Sequence, residues 1–144
     1  MIAGWVRAYT RVMSSPCYCV LLRTAARHVA ATYDAALAPV GVNIAQFAML
    51  RALARAEPVT LTELGRRLDL DRSTVGRNSR VLERMGLVAL GRGADHREAM
   101  VSLTEAGREV LETGAPLWDA VQERIEAGLG EDKAAALREI LASL

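Results

Sequence analysis

The chain has 144 residues, of which 51% are hydrophobic and 24% charged, and its formal net charge is +1. This length suits one domain with or without helical extensions, and the hydrophobic share excludes wholesale disorder. Aromatic residues make up only 4%, so the core must be built from Ala, Leu and Val, which favours packed helices. No apolar run approaches the roughly 18 residues of a membrane span. We therefore expect a cytoplasmic protein that does not bind membranes.

The charges are unevenly distributed along the chain. Residues 1–59 hold six Arg and two acids, a net of +4, and residues 60–97 hold eight Arg and five acids, a net of +3. Residues 98–144 hold ten acids and four bases, a net of −6. A basic middle and an acidic tail suggest one surface that faces a polyanion and another that avoids it. The excess of Arg over Lys is also what a high-GC codon bias produces.

The first part of the chain predicts two helices. Ser15-Pro16 is typical of an N-cap followed by Pro at the first helical position. Apolar residues at spacings of three and four then predict a helix over 16–38, ended by a Pro-Val-Gly turn. Asn43 and Gln46 form a capping-box pattern for a second helix, which extends to about Ala56.

Two shorter helices follow, separated by a tight turn. Thr60 with Glu63 predicts a capping box for the first of them, and Asp71 caps the second, over 72–85, with Gly86 as its stop. Two helices joined by a turn of about three residues are the helix-turn-helix pattern.

The rest of the chain predicts a hairpin and two helices. Residues 87–90 and 99–103 flank a polar, Gly-rich loop, as expected of a β-hairpin or wing. Thr104 caps the next helix, in which Gly114 and Pro116 predict a kink or a break. Apolar stripes mark this helix and the last one, which starts at residues 130–132: Leu111, Trp118 and Ile125 on the former, and Leu137, Ile140, Leu141 and Leu144 on the latter.

The helix over 72–85 carries the strongest functional pattern. At 100° per residue, one face holds a hydroxyl and three arginines: Ser73, Arg77, Arg80 and Arg84. The other side holds apolar residues that face a core: Val75, Leu82 and Met85. Such a helix can lie in a DNA major groove, with Ser73, Thr74 and Arg77 at base edges. Asn78 lies at the flank and is either a further contact or structural.

The predicted wing adds a second set of candidate DNA contacts: Arg92, Asp95, His96 and Arg97. A thin hairpin can insert Arg into the minor groove, and Asp95 could hold the Arg97 guanidinium by a charge-assisted bond. The alternative for Asp95 is a turn residue, and for the helix a solvated arginine face. Together the two elements favour binding of double-stranded DNA.

Several segments resemble the MarR family of bacterial transcription regulators. They are Leu61-Thr62-Glu63-Leu64-Gly65, the run from Leu70 to Asn78, the run from Leu82 to Val88, Asp95-His96-Arg97, and Leu103-Thr104-Glu105-Ala106-Gly107. The wing Asp-x-Arg followed by Leu-Thr-x-x-Gly is the more specific part, and the resemblance extends from about residue 16 to 144. The chain departs from it at Gly76, where Ser or Thr is commoner.

The resemblance implies a mainly α fold with a small β-hairpin wing, in an obligate homodimer of winged helix-turn-helix domains. We expect residues 1–15 to form an N-terminal arm that need not be ordered. Residues 16–42 and 105–144 would form the dimerisation helices, and residues 43–104 the DNA-binding region. A two-fold dimer would place two recognition helices about 34–36 Å apart on a pseudo-palindromic operator. Repression relieved by a signal is what the resemblance implies.

Two cysteines near the start of the first helix are candidate redox sensors. The peroxide-sensing branch of the family has a reactive Cys near this place, and by its spacing to Tyr33, Cys19 occupies it. A second tyrosine of that branch would fall at Arg23, which could itself stabilise a thiolate. Cys17 and Cys19 would point about 200° apart in an intact helix, so we expect a single sensor thiol or a bond to the partner subunit. The alternative is a small core cysteine.

Polar residues on the first two helices offer a second means of control: Arg23, Arg27, His28 and Gln46. They could line a groove for an aromatic or carboxylate effector, or they could form a solvated face or intersubunit salt bridges. We expect no metal and no cofactor, because Cys17-x-Cys19 lacks a third ligand nearby.

An enzyme is not expected. The sequence has no Gly-rich phosphate loop, no His-Glu-x-x-His and no nucleophile elbow. A winged helix that binds a partner protein instead of DNA is the alternative from another functional class.

Overall fold

The computed structural model describes residues 16–93 and 98–144, which are mostly helical with one small antiparallel sheet, so the expected fold class is confirmed. The elements are α1 (Tyr18–Leu37), a 3-10 turn (Ala38–Val40), α2 (Ile44–Ala54), β1 (Val59–Thr60), α3 (Leu61–Leu68), α4 (Arg72–Arg84), β2 (Val88–Arg92), β3 (Ala99–Leu103), α5 (Glu105–Leu129) and α6 (Glu131–Ala142). Contacts divide the chain into two units, Met1–Thr32 and Tyr33–Leu144.

The first helix begins later than its sequence suggested. Its first hydrogen bond runs from Leu21 N to the Cys17 carbonyl over 3.0 Å, so Cys17 holds the cap position and Pro16 lies outside the helix. Proline has no N–H to offer and is accommodated ahead of a helix as well as at its first position. The predicted cap Ser15 lies outside the described residues.

The capping box of α2 is present as predicted. Asn43 Oδ1 accepts from Gln46 N, and Gln46 Oε1 accepts from Asn43 N, each over 2.9 Å. Asp34 Oδ1 also accepts from Ile44 N over 2.7 Å. Three of the free N–H groups at the helix start are thus satisfied by side chains.

The sheet has one strand more than the predicted hairpin. Its order is β1-β3-β2, with β3 in the middle and both pairs antiparallel. The short strand β1 pairs Val59 with Val101 and Thr60 with Met100. The hairpin itself keeps Val88 opposite Leu103 and Arg92 opposite Ala99. The extra strand fixes the base of the wing to the segment that leads into α3.

One apolar core joins α2, α3, α4, the sheet and α5. Its fully buried members include Phe47, Leu50, Leu53, Leu64 and Leu82. Leu111 and Trp118 of the predicted α5 stripe pack against this core, partly buried.

The sequence predicted a kink or a break in α5; the break is wrong, and the kink stays a prediction. The helix runs without interruption through Gly114 and Pro116. Gly114 is buried, and a Cβ there would lie 2.6 Å from the ring of Phe47. The glycine therefore allows α5 to approach α2 closely, and packing outweighs its weak helix propensity.

The last helix, α6, begins at Glu131 as predicted, but its apolar side is not covered. Leu137, Ile140, Leu141 and Leu144 are all exposed. In the first unit the same holds for Tyr18, Val20, Leu21, Leu22 and Val29 of α1. Within residues 16–93 and 98–144, no single helix is long and apolar enough to cross a membrane; α1 and α2 meet that criterion of length and composition only when counted together.

Candidate nucleic-acid interface

The start of α4 is organised around the carboxylate of Asp71. Asp71 Oδ1 accepts from Thr74 N over 2.9 Å and from Ser73 Oγ over 2.5 Å, while Oδ2 accepts from Thr74 Oγ1 over 2.6 Å. The hydrogen bond from Ser73 and the two from Thr74 hold the pKa of Asp71 well below its usual range. Because both hydroxyl protons point at this carboxylate, the Ser73 and Thr74 oxygens present lone pairs as acceptors to an incoming ligand.

The two sides of α4 differ as predicted. Val75, Ser79 and Leu82 are fully buried, whereas four residues on the opposite side are exposed: Ser73, Arg77, Arg80 and Arg84. We call these four the basic face. Among the ion pairs of the described residues, none involves an arginine of this face. Its positive charge is therefore available to a polyanion.

Asn78 in α4 and Met85 at its end do not belong to the basic face. Met85 was expected on the core side, but it is 40% exposed because it is the C-cap residue, where the chain leaves the helix. Its sulfur accepts from Gln46 Nε2 over 3.5 Å. Asn78 is half-buried and lines a cavity of about 180 Å³ with Asn43 and Met49 of the α2 region.

The end of α4 is a glycine-terminated cap. Gly86 has φ +74°, its N donates to the Glu83 carbonyl, and Leu87 N donates to the Leu82 carbonyl, each over 2.9 Å. This pair of bonds is the Schellman motif, which needs the left-handed conformation that glycine adopts without strain. The predicted stop at Gly86 is confirmed, and it aims the chain directly into β2.

The preceding helix, α3, is capped by Thr60, whose Oγ1 accepts from Glu63 N over 3.1 Å. Only this half of the predicted capping box forms. The Glu63 carboxylate instead accepts from Arg66 and Arg67 over 2.8 Å. Its hydrogen bonds and charge pairing with these arginines, Arg66 foremost, lower the pKa of Glu63 to about 2.

The turn between α3 and α4 depends on close backbone packing. A Cβ at Gly65 would lie 2.9 Å from the Leu70 carbonyl oxygen and 3.4 Å from Val75 Cγ2. Asp69, at the end of α3, adopts φ +51°, a left-handed conformation that aspartate tolerates better than most residues. These two positions set how closely α3 and α4 approach each other.

The wing places Arg92 on a strand and not in the loop, where the sequence had suggested it. Arg92 is the last residue of β2, is exposed, and pairs with Ala99. Gly93 N donates to the Glu98 carbonyl over 3.0 Å, which extends the ladder beyond the predicted strand end. The other wing candidates, Asp95, His96 and Arg97, lie outside the described residues.

A polar cluster that sequence analysis missed joins the sheet, α4 and α5. Glu57 Oε2 accepts from Leu103 N over 2.7 Å, and Glu57 Oε1 accepts from Arg108 over 2.6 Å. Thr104 caps α5 as predicted, since its Oγ1 accepts from Gly107 N over 3.1 Å. The same hydroxyl donates to the Gly86 carbonyl over 2.7 Å. The end of α4 and the start of α5 are therefore bonded to each other.

The candidate sensor residues of the first unit are exposed. Cys17 and Cys19 are both free thiols, and Arg23, Arg27 and His28 are exposed on α1. Arg27 donates to Thr24 Oγ1 over 3.1 Å. Because Cys17 precedes the helix, the helical geometry that argued against a bond between the two cysteines does not apply to it.

Tyr33 and Gln46, the remaining candidates for sensing, belong to the second unit. The Tyr33 ring stacks on Trp118 with centroids 6.1 Å apart, and its hydroxyl donates to Gln122 Oε1. Burial raises the pKa of Tyr33. Gln46 is engaged in the capping box and with Met85. Both side chains therefore have structural partners.

A cavity between α2 and α5 was not found by sequence analysis. It has a volume of about 350 Å³ and is lined by Phe47, Arg51, Ala54, Arg55, Leu111, Ala115, Trp118 and Asp119. The Arg51 guanidinium carbon lies 3.8 Å from the centre of the Trp118 ring. The spacing of Arg51 and Arg55, one helical turn apart, was the available signal. Among the described residues, no group of three His, Cys, Asp or Glu side chains could hold a metal ion.

Comparison with known proteins identifies the family to which this chain is related. The sequence profile of the MarR family matches residues 40–98. The transcriptional regulator MosR of M. tuberculosis, solved in complex with DNA, is 36% identical with a TM-score of 0.80, over 88% of this chain and 92% of MosR. A probable transcriptional regulator from Pseudomonas aeruginosa is 28% identical with a TM-score of 0.81, over 88% of this chain and 95% of that one.

A third structure, the transcriptional repressor CouR bound to a 23-mer DNA duplex, is 27% identical with a TM-score of 0.80, over 88% of this chain and 91% of CouR. A search of curated protein sequences gave no match. The match to the family profile covers the helix-turn-helix and the first strand of the wing, β2. The chain belongs to the MarR family of winged-helix transcription regulators.

Proposed function

We propose that this protein is a homodimeric, sequence-specific DNA-binding regulator that represses transcription from a pseudo-palindromic operator and is released by a signal. The observation that carries the proposal is the basic face of α4, exposed opposite a fully buried apolar side. The DNA complexes of MosR and CouR support it. No catalytic activity is part of the proposal, and the cytoplasm is the expected compartment.

On DNA, α4 would occupy the major groove and the wing an adjacent minor groove. Arg77 would fork to a guanine edge, while Arg80 and Arg84 neutralise phosphates. Ser73 and Thr74, with their protons directed at Asp71, would accept from exocyclic amino groups of adenine or cytosine. Arg92, together with Asp95, His96 and Arg97, would make the wing contact, and Asn78 would be a flanking contact.

The homodimer would use residues 16–42 and 105–144, with residues 43–104 as the DNA-binding region. The exposed apolar side chains of α1 and of α6 support this division, since a second copy would remove both from water. Residues 1–15, expected to form an N-terminal arm, lie outside the described residues. Sedimentation at micromolar concentration should give twice the mass of the 15.6 kDa chain, and a monomer would overturn the dimer.

Selection of bound DNA from a random pool tests the central proposal. The expected product is a pseudo-palindrome with half-sites about 10–10.5 base pairs apart, centre to centre. Binding should weaken steeply with salt, with a slope of about −0.9 per neutralised phosphate on a log–log plot. An unenriched pool, or affinity that is flat between low and moderate salt, would refute DNA recognition by this face.

Two signals are compatible with the site candidates. A small aromatic or carboxylate effector could bind at one of two places. The first is the set of polar residues Arg23, Arg27, His28 and Gln46. The second is the cavity beside Arg51 and Trp118, which is lined by apolar side chains and two guanidinium groups. Release of operator DNA by such compounds, lost in Arg51→Ala but kept in Arg27→Ala, would favour the cavity over the α1 residues. The reverse pattern would favour α1.

The second signal is oxidation of Cys19, with Cys17, Arg23 and Tyr33 as the accompanying candidates. Both cysteines are free thiols, which is the state that peroxide oxidises. Peroxide should release the operator from the wild type and leave Cys19→Ser bound, with Cys17→Ser as the matched control. Release of Cys19→Ser by peroxide would remove the thiol switch from the proposal.

A winged helix that binds a protein partner is the alternative function. Charge reversal at Arg77 and Arg97 separates the two, because operator binding cannot survive it whereas partner binding could. We favour DNA because the free positive charge of α4 lies in one stripe along the helix.

A further inference from the structure

The side chain of Glu57 takes a place in the sheet that strand β1 leaves open. The register pairs Val59 with Val101, and continuing it by two residues places Glu57 opposite Leu103. β1 begins only at Val59, so Leu103 has no neighbour within that strand. Its N–H donates instead to Glu57 Oε2 over 2.7 Å. The carboxylate therefore supplies the acceptor that a strand backbone would give, at a buried residue whose N–H is costly to leave unbonded.

The second oxygen of this carboxylate is bonded to α5. Glu57 Oε1 accepts a charge-assisted hydrogen bond from Arg108 Nη1 over 2.6 Å. Because Leu103 ends β3 and Arg108 lies in the first turn of α5, one carboxylate bridges the corner between the strand and the helix. On the opposite edge of β3, the Thr104 N–H donates to the Leu87 carbonyl over 3.2 Å. The corner is thus held on one side by the start of β2 and on the other by Glu57.

The position of the wing depends on the angle at which β3 meets this corner. β3 is the central strand, and its register with β2 places the exposed Arg92 opposite Ala99. From Leu103 back to Ala99 the strand covers about 13 Å, at about 3.3 Å per residue. A tilt of about 5° at the corner therefore moves the far end by about 1 Å. This exceeds the roughly 0.5 Å range of a good hydrogen bond, so a small tilt decides whether the wing makes its contacts.

We infer that Glu57 is a positioning residue for operator binding: paired with Arg108, it holds β3 at the angle from which the wing contacts DNA. This inference rests on the proposed function. Glu57 acts through β3 and is not itself a DNA contact. Without the ion pair, the corner is fixed firmly only on the β2 side, so the wing samples a wider range of angles and contacts the duplex less often.

Two variants that change the net charge in opposite directions test this role in the full-length protein: Glu57→Gln and Arg108→Met. Glu57→Gln keeps an acceptor for Leu103 N, and Arg108 is exposed, so both variants should be folded by circular dichroism at the assay temperature. Affinity for the selected operator should fall by about 2- to 30-fold in both. Charge alone predicts opposite effects, because removing an acid favours binding to a polyanion and removing a base disfavours it.

The matched control is Glu109→Gln, an equal change of charge at an exposed position of α5, which should bind the operator at least as tightly as the wild type. Footprints at saturating protein then separate positioning from folding. Hydroxyl-radical protection of the minor groove under the wing should weaken in both variants, while protection of guanine N7 in the major groove under α4 should be retained.

Three results would overturn the inference. Operator affinity of Glu57→Gln equal to or tighter than that of the wild type would do so while leaving DNA binding intact. Equal loss of protection in both grooves would assign Glu57 to the stability of the fold and not to the wing. If the wild type binds no duplex DNA at all, the proposed function is wrong and the inference is overturned with it.

Discussion

Replacing Gly107 by alanine should destabilise the protein, although alanine is the better helix former. Gly107 is buried in the first turn of α5. A Cβ there would lie 2.1 Å from the Leu87 carbonyl oxygen and 3.3 Å from Leu103 Cδ2. Even close C–H···O contacts keep the carbon about 3.3–3.6 Å from the oxygen. Either α5 or the Leu87 carbonyl group must therefore move by about 1 Å or more.

The Leu87 peptide cannot move freely. Its carbonyl accepts from Thr104 N over 3.2 Å, and its N–H donates to the Leu82 carbonyl over 2.9 Å. Overpacking of this kind costs about 1–3 kcal/mol, and a backbone obstacle places the cost near the upper end. Better helix propensity returns about 0.5–1 kcal/mol. The net loss is about 2 kcal/mol, which lowers Tm by roughly 7 °C for a chain of this length.

Thermal unfolding followed by circular dichroism, at one fixed protein concentration, measures the effect. Gly128→Ala is the matched control, because a Cβ at Gly128 meets nothing within 4 Å, and its Tm should not fall. A Gly107→Ala protein as stable as the wild type would refute the reasoning, since it would mean that α5 can withdraw from Leu87 at no cost.

Three further outcomes are expected. Arg77→Ala should weaken operator binding by about 1–3 kcal/mol and relax base choice, whereas Arg124→Ala, an equal change of charge on α5, should cost far less in a mobility-shift titration. The folded-state pKa of Glu63 is lowered to about 2 from 4.5, so its ion pairs stabilise the protein above pH 4.5 and are lost as the pH falls toward 2. The difference in Tm between the wild type and Glu63→Gln should therefore close over that pH range. A difference that stays constant would contradict the assignment. Ser79→Ala should raise Tm, because the fully buried Ser79 Oγ has no hydrogen-bond partner among the described residues; a fall in Tm would indicate a partner.

Local sequence patterns predicted the helix ends well. Asn43, Asp71 and Thr104 were recognised as caps, and each side chain accepts the expected backbone N–H. Gly86 was recognised as a stop and has the left-handed φ that the role requires. Caps are readable because both partners lie within three residues, so the bond depends on little beyond the local chain.

Several features were missed because they depend on contact between residues distant in the sequence. The strand Val59–Thr60 is too short for a periodic pattern and exists because it pairs with β3, about 40 residues away. Gly114 was predicted to kink or break α5, but its role is to leave room for the Phe47 ring. Likewise, the role of Glu57 and the cavity beside Trp118 depend on contacts with α5, which is about 50 residues or more further along the chain.

The basic face could be predicted because all four of its residues lie on one helix. Period-3.6 placement put Ser73, Arg77 and the later arginines on one side, and burial of Val75 and Leu82 agrees. What the pattern could not give is the state of the hydroxyls. Only the structure reveals that the Asp71 carboxylate accepts a hydrogen bond from each hydroxyl. The Ser73 and Thr74 oxygens are therefore left as acceptors for a ligand.

The Thr104 side chain has a mechanical consequence. One hydroxyl holds the first turn of α5 and the carbonyl of Gly86 together, while the Leu87 carbonyl receives the Thr104 backbone N–H. The C-terminal end of α4 and the first turn of the 25-residue helix α5 are thus joined by direct hydrogen bonds. Through these bonds, a change in the tilt of α5 at its first turn would be transmitted directly to the end of α4.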